Sequence, residues 1–142
     1  MGRSRGGLTT KIHAVTDAAG MPIRLAITPG QDHDATAAGP LLTGLADGQI
    51  VLADKAYDAD WIRRQIEAQG AAPNIPDRSN RKHRHCFSKT LYKERNLVER
   101  FFNKIKYFRR IATRYDKLGS TFMAMIKLAA IRIWLRFNES TA

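Results

Sequence analysis

Between Lys89 and Arg110 the chain carries neither Gly nor Pro, and its apolar residues return with a helical period. At about 100° per residue, Leu91, Leu97, Val98, Phe101, Phe102, Ile105 and Phe108 fall on one broad arc, which predicts an amphipathic helix with a buried stripe. Tyr92, Arg95, Glu99, Asn103 and Lys106 fall on the opposite arc. That face is one carboxylate framed by cations and a phenol. Two readings of it stand side by side. Arg95 and Glu99 are spaced i, i+4, as in an ordinary helix ion pair; alternatively, Glu99 is a metal-binding carboxylate ringed by phosphate contacts.

The pattern elsewhere predicts a mixed α/β chain. Residues 9–16 alternate β-branched and polar side chains and read as a strand. Asp17 to Gly20 is turn chemistry, and residues 22–28 read as a second strand, closing an antiparallel hairpin. Pro29 and Gly30 end it. Asp32, His33 and Asp34 then precede a short helical stretch to Leu45, where an acid is expected to cap the helix rather than hold a metal. Residues 49–53 contain Ile50, Val51 and Leu52 in succession, the pattern of a strand buried on both faces. Asp54 sits at its carboxyl end, the edge at which open α/β sheets bind ligands. Asp58 is placed to cap a helix over 59–69 that stops at Gly70, which leaves Asp54 without a structural task. Residues 72–76 read as a brief extended segment and 77–88 as a polar loop. A break at Leu118, Gly119 and Ser120 starts a buried terminal helix, capped by Ser120, that runs to about Phe137. Residues 2–7 read as a flexible basic lead-in, in which Arg3 and Arg5 add weak phosphate contacts.

Charge gives this outline a direction. Of 142 residues, 24 are Lys or Arg and 13 are Asp or Glu, for a formal net charge of +11. Residues 1–60 carry a net −2 and residues 61–142 a net +13. From Arg78 to Lys117 there are 14 cations against three acids, Glu94, Glu99 and Asp116, with Tyr92, Tyr107 and Tyr115 interleaved. Such a stretch is expected to contact nucleic-acid backbone and exposed bases. One Cys, Cys86, excludes an internal disulfide framework and suits the cytoplasm. His83, His85 and Cys86 lack the spacing and the fourth ligand of a structural zinc site. The apolar run 122–137 is shorter than the roughly 20 residues a membrane span takes, and cations interrupt it. The length suits one domain.

Tyr92, two residues, Arg95, three residues, Glu99, six residues and Lys106 reproduce the Y-x2-R-x3-E-x6-K signature of bacterial insertion-sequence transposases of the DDE type, in the insertion sequence four/five group. The run from Leu52 to Asp58 resembles the segment of that group that carries the second catalytic Asp. Residues 2–13, 28–34, 78–82 and 109–117 are similar to the rest of its catalytic domain, in the same order, so the resemblance spans nearly the whole chain.

The resemblance implies a ribonuclease H-like α/β fold truncated at its N-terminus, with the first strand and its catalytic Asp upstream of Met1, so that 1–142 is a partial catalytic domain. It implies DNA transposition, with Mg²⁺, or Mn²⁺ in its place, held by Asp54 and Glu99. It assigns Tyr92, Arg95, Lys106, Arg109 and Arg110 to DNA, and Arg114 to the same basic track. The implied partners are terminal inverted repeats, target DNA, and further copies of the chain or a full-length transposase, with no membrane. Such enzymes are often split over two overlapping reading frames; the chain is then the downstream frame or a truncated copy, inactive by itself and a polynucleotidyl transferase once fused. Two other classes remain open: a metal-independent DNA- or RNA-binding module, and an inactive DNA-binding remnant that regulates a full-length transposase.

Overall fold

The computed structural model describes residues 2–4, 7–113 and 117–141. In chain order its elements are β1 (Gly2–Ser4), β2 (Gly7–Thr16), β3 (Pro22–Pro29), a 3-10 turn (Asp34–Ala37), α1 (Ala38–Leu41), β4 (Ile50–Leu52), a 3-10 turn (Lys55–Tyr57), α2 (Asp60–Glu67), β5 (Ala72–Asn74), α3 (Lys89–Tyr92), a 3-10 turn (Lys93–Arg95), α4 (Asn96–Lys106), α5 (Arg109–Ala112) and α6 (Gly119–Thr141). The α/β character follows the sequence pattern. Two compact units emerge, Met1–Gln31 with Leu97–Ala142, and Asp32–Asn96.

In the first unit β2 and β3 form the expected hairpin, with Ile12 opposite Ile27 and Ala14 opposite Leu25. Asp17 makes the turn by accepting from the amides of Ala19 and Met21, both at 2.9 Å. Gly20 completes it at φ +77°, where a Cβ would lie 3.3 Å from the Leu97 Cβ. The expected flexible lead-in is instead partly strand: Gly2 pairs with Thr9 and Ser4 with Gly7. An open strand edge offers unpaired backbone groups, and an extended segment satisfies them whatever its side chains. The core holds Met21, Phe101 and Ile105 of α4, Ile111 of α5, and Phe122, Ile126, Ala129 and Ile133 of α6, with Ile12, Ala14, Leu25 and Ile27 packed on it from the hairpin. Trp134 Nε1 donates to the Pro22 carbonyl at 2.8 Å and ties α6 to β3.

Three helical expectations are corrected. The single helix over 89–110 is interrupted, because the Lys93–Arg95 turn tightens to three residues per turn, and it ends at Lys106. Phe108 then adopts an extended backbone and starts α5. The terminal helix is buried along one face only: Phe122, Ile126, Ala129, Ala130 and Ile133 are covered, while Leu128, Ile131 and Leu135 are more than half exposed. A helix packed on one side shelters a stripe, and a continuous apolar run conceals that period. Ser120 lies inside the first turn of α6, and the Leu118 carbonyl accepts its first hydrogen bond from the Phe122 amide.

In the second unit β4 and β5 pair in parallel, with Ile50 opposite Ala72 and Leu52 opposite Asn74. They form a two-stranded sheet. The expectation of a doubly buried strand fails here, since Ile50 is 50% exposed and Val51 and Leu52 are half-buried. A strand with one lateral neighbour in a two-stranded sheet lacks the flanking cover that a central strand receives. Ile62 and Ile66 of α2 pack with Ala38, Leu42, Ala71 and Ile75 to form this unit's core. The helical stretch expected to reach Leu45 stops at Leu41, and Gly44 turns the chain at φ +62°. His33, not an acid, occupies the cap of the preceding 3-10 turn, without a side-chain bond, and Asp34 lies in its first turn. Among the described residues no helix is long and apolar enough to cross a membrane.

Candidate metal and nucleic-acid site

Within the first unit, α4 and β2 enclose an open groove of about 580 Å³ lined by Thr10, Ile12, Glu99, Phe102, Asn103 and Lys106. Glu99, Asn103 and Lys106 are exposed, and their i, i+4, i+7 spacing puts them on one helix face. The groove therefore presents a carboxylate, an amide and an ammonium in one row. Thr10 and Ile12 are additions to the sequence reading. Their i, i+2 alternation was the available signal, but nothing in it distinguished a groove wall from a plain sheet face. Arg109 and Arg110 are exposed on α5, directly after the bend at Phe108. Arg5, Arg114 and Tyr115 lie outside the described residues, and nothing is described of the Arg3 side chain.

Tyr92 and Arg95 belong to the second unit. The Arg95 guanidinium lies 5.4 Å from the centroid of the Tyr92 ring, and Phe87 meets that ring edge-on at 5.2 Å. A cation over a partly exposed ring is worth about 0.5–1 kcal/mol. Ser88 caps α3 by accepting from the Leu91 amide and is held by Asn74 through two hydrogen bonds, at 2.8 and 3.1 Å.

Asp54 follows β4, as expected, but it does have a structural task. Its Oδ1 accepts from the Ala56 amide at 2.9 Å and caps the Lys55–Tyr57 turn. That bond fixes the half-buried carboxylate while engaging one face of one oxygen. Burial, followed by the charges of Asp34 and Asp54, pushes the Tyr57 hydroxyl up to about 12, so the phenol beside these acids keeps its proton at neutral pH. Arg78 clamps the same turn, donating from Nε to the Lys55 carbonyl at 3.2 Å and from Nη2 to the Ala56 carbonyl at 2.9 Å.

Asp58 is not the expected cap of α2, whose cap position is Ala59. It is a buried hub. Its Oδ1 accepts from Arg63 Nε and Nη2 at 3.0 and 2.9 Å, and its Oδ2 accepts from Arg81 Nε at 2.7 Å and the Arg78 amide at 2.8 Å. Burial alone would raise its pKa, but the bonds from Arg81, Arg78 and Arg63 outweigh it and hold the carboxyl well below the ordinary range. Arg63 continues to the Ile75 carbonyl and to Asp77, and Asp77 meets His85 Nδ1 at 2.7 Å. Arg81 also reaches Asp60 at 2.6 Å.

Asp58, Asp77 and His85 place ligand atoms within 4.8 Å of one another. Guanidinium groups already occupy their oxygens, so a divalent cation would have to displace Arg63 and Arg81 and face their charge. This trio therefore fits an ion-pair network and not a metal. Asp54 belongs to the second unit and Glu99 to the first, and each is a carboxylate, the kind of oxygen donor that a hard cation takes.

Residues 2–134 match the family described as the transposase DDE domain. A Brucella ovis protein named for the transposase of insertion sequence element IS6501 is 45% identical over 130 residues, covering 91% of this chain and 100% of that relative. A Burkholderia cepacia relative named for element IS402 is 30% identical, and the chain spans 64% of its length. The transposase for element IS1106 of Neisseria meningitidis serogroup B is 29% identical over 125 residues, and the chain spans 41% of it. No solved structure matches the chain. Family match and relatives together cover the hairpin, the Asp54 turn and the Glu99 helix, and the chain belongs to the transposase DDE domain family.

Proposed function

We propose that the chain carries out DNA transposition as residues 1–142 of a ribonuclease H-like catalytic domain, completed by an upstream segment that supplies a strand and a further Asp. The observation that carries this reading is the groove row of Glu99, Asn103 and Lys106, which sets one carboxylate among groups suited to a phosphate backbone. The half-exposed Ile50 on β4 supports completion, since an interior-type apolar strand with one lateral neighbour is what a sheet missing a strand would leave.

Asp54 and Glu99 would hold Mg²⁺, for which Mn²⁺ could substitute. The chemistry such an ion would supply is activation of the attacking oxygen and stabilisation of the departing one in phosphodiester cleavage and strand transfer. The chain's own residues bind and orient. Lys106, Arg109 and Arg110 offer charge to phosphates on the first unit, and Arg95 does so on the second, with Tyr92 fixing its guanidinium. Tyr57 stays protonated beside Asp54 and takes no part as a base. Arg78 holds the turn that aims Asp54. Terminal repeats and target DNA are the substrates, and assembly with further copies follows from the need to handle two element ends.

The test joins the chain to the segment encoded just upstream of it and assays Mg²⁺-dependent nicking and joining of its element's ends. The fusion should cut and join, the 142-residue chain alone should not, and Asp54→Asn or Glu99→Gln should abolish the reaction while leaving DNA binding intact. Cleavage that survives Glu99→Gln would overturn the assignment, leaving α4 a basic structural helix.

A further inference from the structure

Where α4 ends, Tyr107 stands 88% exposed, the most exposed large hydrophobic side chain among the described residues. Its amide bonds back to the Lys104 carbonyl at 3.3 Å, yet its ring and hydroxyl make no hydrogen bond or ring contact with a described side chain. The backbone beside it is anchored. Phe108 packs on the core with the Arg132 guanidinium 5.9 Å from its ring centroid, and Ile111 is buried. Tyr107 is therefore presented outward by a fixed bend rather than left on a loose loop. Lys104, Lys106, Arg109 and Arg110, all exposed, flank it. A ring turned to water gains nothing for folding; with four exposed cations beside it in sequence, its natural partner is an aromatic face carried on a polyanion.

We propose that Tyr107 is a stacking platform for an unpaired base of single-stranded DNA whose phosphates run across Lys104, Lys106, Arg109 and Arg110. Duplex hides base faces, so the platform serves a strand that is frayed or already opened. Tyr107 lies eight residues beyond Glu99, about 12 Å along the helix axis. This rests on the reading of the groove as a DNA site, and supplies it with a strand state.

The experiment titrates the 142-residue chain into a fluorescein-labelled 20-nucleotide single-stranded DNA of mixed sequence, its blunt duplex, and the matching RNA. Tyr107→Ala should weaken single-strand binding by about 5- to 150-fold, the range of one lost base–aromatic stack. It should change duplex binding less than twofold and leave the salt slope unaltered, since no charge is removed. Tyr107→Phe should bind like the parent chain. Parent-like binding by Tyr107→Ala overturns the platform. So does an equal loss in Tyr107→Phe, which would make the hydroxyl a phosphate contact; so do an equal loss on duplex and tighter binding of the RNA. A parent chain that binds none of the three would sink the DNA reading itself, a result distinct from unchanged binding in the variant.

Discussion

Asp58→Asn removes the charge at the centre of the second unit while keeping its shape. The substituted amide still accepts from Arg63 through one oxygen, but its NH₂ then faces Arg81 Nε and the Arg78 amide, donor against donor. Breaking a buried, hydrogen-bonded ion pair costs about 3–5 kcal/mol. Arg63 retains the Ile75 carbonyl at 2.9 Å and Asp77 at 3.2 Å, and Arg81 retains Asp60, so neither guanidinium is orphaned and the lower end applies, about 3 kcal/mol. At about 4–8 °C per kcal/mol for a unit of this size, the second unit should melt roughly 12–24 °C earlier. Trp61 lies in α2, so its fluorescence in a Trp134→Phe background reports this unit in urea or heat. The pH dependence is a second signature. Asp58 is more acidic folded than unfolded, so its stabilisation is complete above its ordinary value of 3.8 and is lost as pH falls through the depressed folded value. The gap between parent and variant should therefore be widest above about pH 5 and shrink progressively in stronger acid. A loss below about 1 kcal/mol, or a gap that stays constant from neutral pH into strong acid, would refute the hub as an energetic centre.

Three further outcomes follow from the structure. Replacing Arg95 and Lys106 together with Ala should flatten the slope of log K against log salt by roughly two units in a duplex-DNA titration. Arg81→Met should leave that slope unchanged, because this guanidinium is already neutralised by Asp58 and Asp60; an equal flattening would place Arg81 on the DNA. Phe101→Ala, at a side chain with no exposed surface, should destabilise the first unit by about 3–5 kcal/mol in urea unfolding, and a loss under 1 kcal/mol would mean the core is not where the contacts put it.

Local chemistry carried far in the sequence. The hairpin with its Asp17 and Gly20 turn, the stop at Gly70, and Phe101 and Ile105 on the buried face of α4 all follow from period and turn residues, because each is decided within a few positions of itself. What escaped was decided from a distance. Asp58 looks like a helix cap from its neighbours alone, and only the return of residues 78–81 to its carboxylate makes it a hub. Ile50 looks central because three apolar residues in a row leave unstated how many strands flank them. The basic run from Arg78 to Lys117 counts every cation alike, whereas Arg78 and Arg81 are already engaged by carbonyls and carboxylates of the chain. The spacing of Tyr92, Arg95, Glu99 and Lys106 was legible as a motif but not as one straight helix, since the Lys93–Arg95 turn changes the period midway.

The loop between β5 and α3 looks, residue by residue, like freely drifting surface. Yet His85 closes a ring on Asp77 through both its amide, at 2.9 Å, and its imidazole, while Arg78 and Arg81 are each pinned within that ring. Only Ser79, Asn80, Lys82, His83, Arg84 and Cys86 lie exposed between its fixed points. Mutational tolerance should therefore be confined to those six positions, and changes of loop length, which ordinary surface connections absorb with little penalty, should here be as poorly accepted as insertions into a strand.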